Sequence, residues 1–290
     1  MHPERQFHFR TTTILIRSTH THGVEHRLPW WIPIRDALWQ WCACDDARGG
    51  KDVHARRQTR IARLVGLALI WVLLGTLVVV AERVIPSQHL PWRPLSVIDP
   101  LGAATMAKAA RTGANPAACR AVLRQGGLFY VNAPPAVAGD ACAIPDGLKL
   151  TGGMAPLMPV DTVMTCKQAL AVSIWERQVV QPVAFETLGQ AVVGVEHFGS
   201  FACRRIYGRE DGPLSQHASA NALDVSGFRL ADGSEISVVR DWTDPGPKGQ
   251  FLRRIRDGGC RVFVTVLSPD YNAEHANHFH LDMGGWPLCA

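Results

Sequence analysis

The stretch Leu64 to Ala81 (LVGLALIWVLLGTLVVVA) constrains this chain more than any other feature. Eighteen residues without a charge are about enough to cross the hydrocarbon core of a bilayer as a helix, so residues 64–81 are read as a membrane span. Arg56, Arg57, Arg60 and Arg63 precede it, whereas only Glu82 and Arg83 follow at once. That asymmetry puts the N-terminus in the cytoplasm and everything after about residue 84 on the other side. No small-x-small cleavage site follows in AERVIPSQ, so an uncleaved signal anchor is expected.

Four segments follow from this reading: 1–63 as a cytoplasmic Arg-rich segment, 64–81 as the anchor, 82–112 as a Pro-containing tether and 113–290 as the folded domain. The net charge of +5 is concentrated at the front, because residues 1–63 hold 11 basic and 6 acidic side chains and the remainder 19 of each. A neutral folded part gives no reason to invoke nucleic acid. Residues 1–55 show no sustained helix or strand period. A start near Val53 would leave a short Arg-rich region directly before the apolar run, the usual shape of such an anchor.

Eight cysteines divide into Cys42 and Cys44 before the span and Cys119, Cys142, Cys166, Cys203, Cys260 and Cys289 after it. An even count outside the membrane suggests disulfides. Fifteen pairings of six cysteines are open; sequence order suggests Cys119–Cys142, Cys166–Cys203 and Cys260–Cys289. None of the six has the Cys-x-x-Cys spacing of a cysteine zinc site.

Helix signals come first in the domain. Asn115-Pro116 reads as an N-cap with proline at the first helical position, and Gly126 closes that helix. Thr165 and Gln168 have capping-box spacing ahead of the main helix, and Pro182 opens another helical stretch. From Val192 the pattern turns to strands: 192–195, 222–228, 236–239 and 262–266, with Ala231-Asp232-Gly233 as a hairpin turn and a helix at 250–257. The order predicts an α+β domain, helices packed on a small, mostly antiparallel sheet.

Two segments carry chemistry: Ser215-Gln216-His217-Ala218-Ser219-Ala220-Asn221-Ala222-Leu223-Asp224 and His275-Ala276-Asn277-His278-Phe279-His280-Leu281-Asp282. In a strand alternate residues share a face, so His278, His280 and Asp282 point one way while Phe279 and Leu281 enter the core. The same period groups Ala220, Ala222 and Asp224, with His217 approaching from the preceding turn. Two imidazoles and one carboxylate with an open fourth position make a catalytic rather than a structural zinc set; such an ion acidifies water and polarises a carbonyl oxygen. His278 is the candidate proton carrier, and His275 an auxiliary at the oxyanion or the substrate. Ser215 reads as a turn cap, Asp282 as orienting a ligand histidine, and Glu196 and His197 as surface residues.

The first segment resembles the Ser-x-His-x-x-Gly-x-Ala-x-Asp motif of zinc D-alanyl-D-alanine carboxypeptidases, and the second is similar to the His-x-x-His-x-His motif of penicillin-insensitive murein endopeptidases. With the cysteines and Ala202-Cys203-Arg204, residues 110–290 most resemble the bacterial extensin-like C-terminal domain family. That resemblance implies one zinc ion held by His217, Asp224 and His280, with His278 as base and His275 assisting. Arg204 falls where related enzymes keep a substrate-binding arginine. Two positions depart from the patterns: Ala220 replaces a glycine, and Asn277 stands where the carboxypeptidases place a catalytic glutamate.

The expectation is therefore a single-pass inner-membrane protein whose periplasmic domain is a zinc-dependent hydrolase of amide bonds in peptidoglycan stem peptides, with peptidoglycan or muropeptides as its partner. The competing expectation is a non-catalytic wall-binding or structural module that keeps the metal fold.

Overall fold

The computed structural model describes residues 34–138, 142–144 and 146–290, with side chains from residue 54 onward. The readings for residues 1–33 and for the side chains of Cys42 and Cys44 lie outside the described residues. Two units divide at Leu73/Leu74. The first unit is helical from Ile34; helix α1 runs Ile34–Val84 and continues into the second unit. Within it, His54–Val84 is long and apolar enough to cross a membrane, with a mean hydropathy of 2.8 in its most apolar window and none of that window buried. Leu64, Leu67, Leu69 and Trp71 are all exposed. A helix that is apolar all round and leaves that surface uncovered is suited to lipid.

The second unit holds the α+β fold. Its first segment corrects the tether reading, because part of it belongs to the core: Leu90, Leu95 and Val97 are buried and α2 (Thr105–Gly113) follows at once. Lys108 donates from Nζ to the Ser87 carbonyl at 2.7 Å and the Ala103 amide donates to His89 at 3.1 Å, closing the segment on itself. Trp92 donates from Nε1 to Glu82, and Arg93 pairs with the same carboxylate. Helix α3 (Pro116–Gln125) begins as its sequence dictates, with Asn115 accepting from the Ala118 amide.

Six short strands follow, in a stretch to which the sequence assigned no element: β1 (Phe129–Asn132), β2 (Ala136–Ala138), β3 (Cys142–Ile144), β4 (Gly147–Gly152), β5 (Leu157–Met158) and β6 (Met164–Thr165). Strands β1, β4 and β6 form one antiparallel sheet, and β2 and β3 a separate pair. Thr165 caps α4 (Cys166–Trp175) by accepting from the Gln168 amide at 3.1 Å. The box is only half closed, since the Gln168 side chain donates instead to the Leu281 carbonyl. A π turn, Glu176–Val180, joins α4 to α5 (Gln181–Leu188).

The main sheet follows with β7 (Val192–Gly199), β8 (Ala222–Leu230), β9 (Glu235–Ser237), α6 (Val238–Asp241), α7 (Pro247–Gly259), β10 (Thr265–Leu267), β11 (Phe279–Asp282) and β12 (Leu288–Cys289). Its order is β12-β10-β11-β8-β7-β5, with β9 paired to β8. Only the outer pairs β10–β12 and β5–β7 are parallel. Two strand expectations shift. The segment 236–239 turns helical at Val238, where Asp241 accepts the Ser237 amide. The strand expected at 262–266 starts only at Thr265, because the amides of Val262 and Phe263 close α7 on the Gly259 carbonyl.

Trp175 of α4 sits at the centre of the core, fully buried, against Phe228 and Phe263, with its Nε1 donating to the Ile255 carbonyl at 2.9 Å. Phe279, Leu281, Leu223 and Val225, alternate residues of β11 and β8, belong to the same core. The intervening residues therefore face away from it. His197 is buried rather than on the surface, because β7 is an interior strand; its Nε2 lies 2.9 Å from Thr162 Oγ1 and 3.0 Å from the Pro159 carbonyl.

Disulfides join Cys119 to Cys166, Cys142 to Cys203 and Cys260 to Cys289. The third is the pairing read from sequence order; the first two are corrected. Cys119 lies on α3 and Cys166 opens α4, and these helices pack together, so contact across the fold overrides proximity in sequence.

Candidate metal and catalytic site

Strand register builds the site. In the antiparallel pair of β11 and β8, His280 lies directly opposite Asp224, while Phe279 opposes Val225 and Leu281 opposes Leu223. Directly opposed residues project from one face, so the core-facing pairs fix where the polar pair must point. His217 arrives from the 3-10 turn Gln216–Ser219, which Ser215 caps by accepting the His217 amide at 3.3 Å. The chain reverses at Ala220, whose φ of 54° and ψ of 33° are left-handed. That is the conformation a glycine would favour, so the alanine reaches it at a cost of about 1–2 kcal/mol.

Ala220 is fully buried. Ala220→Gly should leave stability within about 1 kcal/mol of wild type, since relief of the left-handed conformation offsets one lost buried methyl of about 0.8 kcal/mol. Ala220→Val adds β-branching where φ is positive and volume where none is free, so it should cost more than about 2 kcal/mol. Chemical denaturation of the two variants checks both; equal stability of the valine variant and wild type would contradict this geometry.

Three ligand atoms converge. His217 Nε2 lies 3.1 Å from Asp224 Oδ1 and 3.1 Å from His280 Nδ1, and His280 Nδ1 lies 2.9 Å from Asp224 Oδ1. Ligand atoms about 2.1 Å from a tetrahedral ion stand about 3.4 Å apart, so a displacement of a few tenths of an ångström turns this triangle into three vertices of such a site. These residues are the one group of three among those described whose ligand atoms lie close enough together to hold a metal ion.

The outer nitrogens fix what the inner ones can do. His217 Nδ1 faces the Ser200 carbonyl at 3.1 Å, and His280 Nε2 faces Asp282 Oδ2 at 3.1 Å. Both partners are acceptors, so each outer nitrogen carries its proton and, in the neutral ring, the inner nitrogen is a lone pair. Two lone pairs and a carboxylate oxygen that converge repel one another unless something positive lies between them. Either a proton or a cation must sit there. In the metal-free protein burial opposes the imidazolium of His280, but its hydrogen bonds to Asp224 and Asp282 and their charges prevail, raising it to about 9. For Asp224 burial pushes upward, yet hydrogen bonds from His217 and His280 and their charge hold it well below the usual carboxylate range.

His278 precedes β11 on the same side, with Nε2 3.6 Å from Asp224 Oδ1. Its Nδ1 lies 2.8 Å from Asn277 Oδ1, an acceptor, so the ring proton sits on Nδ1 and Nε2 is free to take one. The Phe198 ring meets His278 edge-on at 5.7 Å. Burial lowers the His278 pKa, with the charges of the neighbouring histidines and Arg204 adding to it and Asp224 opposing; the imidazole is neutral at neutral pH. His275 is lowered to about 4, first by burial and then by its histidine neighbours. Its Nδ1 lies 2.6 Å from Asn272 Oδ1. The same tautomer argument leaves Nε2 of the neutral ring as an acceptor, which suits the substrate-positioning role among the two the sequence offered.

Asp224, His275, His278 and His280 line a cleft of about 630 Å³ together with Arg204, Glu274 and Asp282. A second groove of about 570 Å³, beside Pro182, Glu186 and Arg254, contains none of them. Ser215, Asp224, His275, His278, His280 and Asp282 of the two motifs thus meet with Arg204 in one cleft, His217 joins them through Asp224 and His280, and none of the six cysteines is among the residues lining it. Sequence reasoning missed the Ser200 carbonyl, Asn272 and the role of Asn277. A backbone carbonyl leaves no trace in a sequence; Asn272 ahead of Ala273-Glu274-His275 is a capping signal that could have been read.

Residues 117–290 match the family model described as Extensin-like protein C-terminus. Neither a curated protein nor a solved structure gives a match.

Proposed function

Since this chain belongs to the extensin-like protein C-terminus family, we propose that its domain is a zinc-dependent hydrolase of amide bonds in peptidoglycan stem peptides, sharing its metal chemistry with the zinc D-alanyl-D-alanine carboxypeptidases that its first motif resembles. The observation that carries the reading is the meeting of His217 Nε2, Asp224 Oδ1 and His280 Nδ1, with the outer imidazole nitrogens 3.1 Å from the Ser200 carbonyl and from Asp282 Oδ2. Carboxylate–histidine support of this kind raises ligand basicity. Two histidines and one carboxylate with an open position are the donor set of catalytic zinc.

When bound, the ion supplies Lewis-acid polarisation of a carbonyl and acidifies water. The chain's own groups do the rest. His278 accepts the proton of the attacking water at Nε2 and returns it to the leaving amine, while Asn277 keeps the ring from turning. Arg204, at the cleft wall, pairs with a carboxylate of the peptide. His275 accepts from a peptide N–H. Three disulfides suit an oxidising compartment, and the arginines before the apolar helix suit an N-terminus in the cytoplasm; together they support a periplasmic domain anchored in the inner membrane.

Full-length protein in detergent, supplied with zinc and purified muropeptides, should release products shortened at a single amide bond, read by mass spectrometry. Absence of cleavage over a panel of monomeric and cross-linked muropeptides would overturn the hydrolase reading. Asn277 at the position of a catalytic glutamate favours, in that event, a wall-binding module that keeps the metal site.

A further inference from the structure

One wall of the cleft is a loop running from Phe201 to Leu214, and it holds a bulky residue in a conformation that L residues avoid. Tyr207 has φ 56° and ψ 22°, followed by Gly208 at φ 65°. Glycine satisfies the second position; nothing local requires the first. The strain persists because both ends of the loop are fixed. Arg205 bridges to Leu214, the Ser215 amide donates to the Arg204 carbonyl at 3.1 Å, and Cys203 is bonded to Cys142. Costly backbone of this kind is kept where the side chain it aims has work to do.

What it aims is an aromatic ring at the cleft rim. Tyr207 lines the cleft with Tyr271 and Trp286. Asn272 donates to the Tyr207 hydroxyl at 3.1 Å. Tyr271 in turn meets the His275 ring at 5.5 Å, so the aromatic rim runs directly into the histidine cluster. These rings are not filling the core: Tyr207 is 42 % exposed, Tyr271 39 % and Trp286 88 %.

An apolar peptide side chain would be met by a closed hydrophobic pocket. Exposed rings with polar tips, Tyr207 with the Arg209 guanidinium 5.6 Å over one face, suit a flat ligand having an apolar face and a hydroxylated edge, which is the shape of a pyranose. We propose that Tyr207, Tyr271 and Trp286 form a sugar-binding platform, so that the cleft takes a glycan ring beside the amide bond at the histidine cluster. This deepens the hydrolase reading and rests on it for the second half of that statement; glycan binding itself can be measured without any turnover.

The test uses full-length protein in detergent and peptidoglycan glycan strands stripped of their stem peptides, with affinity measured by calorimetry. Wild type should bind the strands, and Trp286→Ala and Tyr207→Gly should each weaken binding by about tenfold. Tyr207→Phe, which keeps the ring, should stay within about twofold of wild type. Glycine accepts the left-handed backbone, so Tyr207→Gly should melt no lower than wild type, and Trp286 is too exposed for its loss to unfold the domain. Strands that fail to bind wild type, or that bind both truncated variants as tightly, overturn the proposal. Weakened glycan binding by the variants in a protein that cuts no muropeptide would uphold the platform and sink the hydrolase; cleavage with indifferent variants would do the reverse.

Discussion

Replacing His278 with alanine should slow stem-peptide hydrolysis by about 10²–10⁴-fold, the usual contribution of a positioned general base, and leave the bound metal in place. The expectation follows from where each nitrogen points. Asn277 Oδ1 accepts a hydrogen bond from His278 Nδ1, burial keeps the ring neutral, and the free Nε2 sits 3.6 Å from the ligand carboxylate oxygen. The ligand atoms that converge mutually are those of His217, Asp224 and His280 without His278, so its ring stands beside the triangle rather than within it. Turnover and metal content measured on the same preparation separate the roles. Loss of both would make His278 a ligand, and retention of activity would move the proton transfer to another group, with Glu274 the nearest candidate along the same turn.

Metal affinity should rise about tenfold per pH unit from pH 6.5 toward 9 and then level off. In the metal-free protein His280 is raised to about 9, so below that pH a proton occupies the point where the ligand atoms converge, and a cation must displace it. At pH 7 the affinity should lie about 100-fold under its plateau, two units below the folded pKa. The same proton sets the stability of the metal-free fold, with the opposite slope. A group whose pKa is raised on folding contributes fully below its unfolded value near 6.5, and that contribution is lost as pH climbs through the folded value. The loss amounts to about 3 kcal/mol between pH 6.5 and 9, at 1.36 kcal/mol per unit. Melting curves with and without chelator should therefore diverge as pH rises, the metal-free protein falling while the stabilisation by added metal grows. Parallel curves would mean that no proton is exchanged for the ion.

The sequence carried the site further than it carried the fold. Period-2 alternation in Phe279-His280-Leu281-Asp282 and Leu223-Asp224-Val225 was enough to put His280 and Asp224 on one side of a sheet, because the buried partners are large and apolar and tolerate no slip of register. Local caps at Asn115 and Thr165 were legible for the same reason: the chemistry lies within four residues. What escaped depends on partners far along the chain. The strands between Phe129 and Thr165 are two to six residues long and too short for a period to emerge. Leu95 and Val97 lie among prolines that read as a tether, yet they pack into the domain core. Cys119 and Cys142 look like neighbours until α3 and α4 are seen to pack together. Ala220 is a different case: its left-handed backbone was signalled only by the glycine expected there, and the structure holds the turn with the methyl in place.

The hydrolase reading depends on the three converging ligand atoms holding a divalent ion. The direct measurement is elemental analysis of full-length protein purified without chelator and dialysed against micromolar zinc, beside a His280→Ala variant of the same fold. About one equivalent of ion in the wild type, and less than about a tenth of that in the variant, is the expected result for a three-ligand site. No retained ion in the wild type, or equal retention in the two proteins, would contradict it.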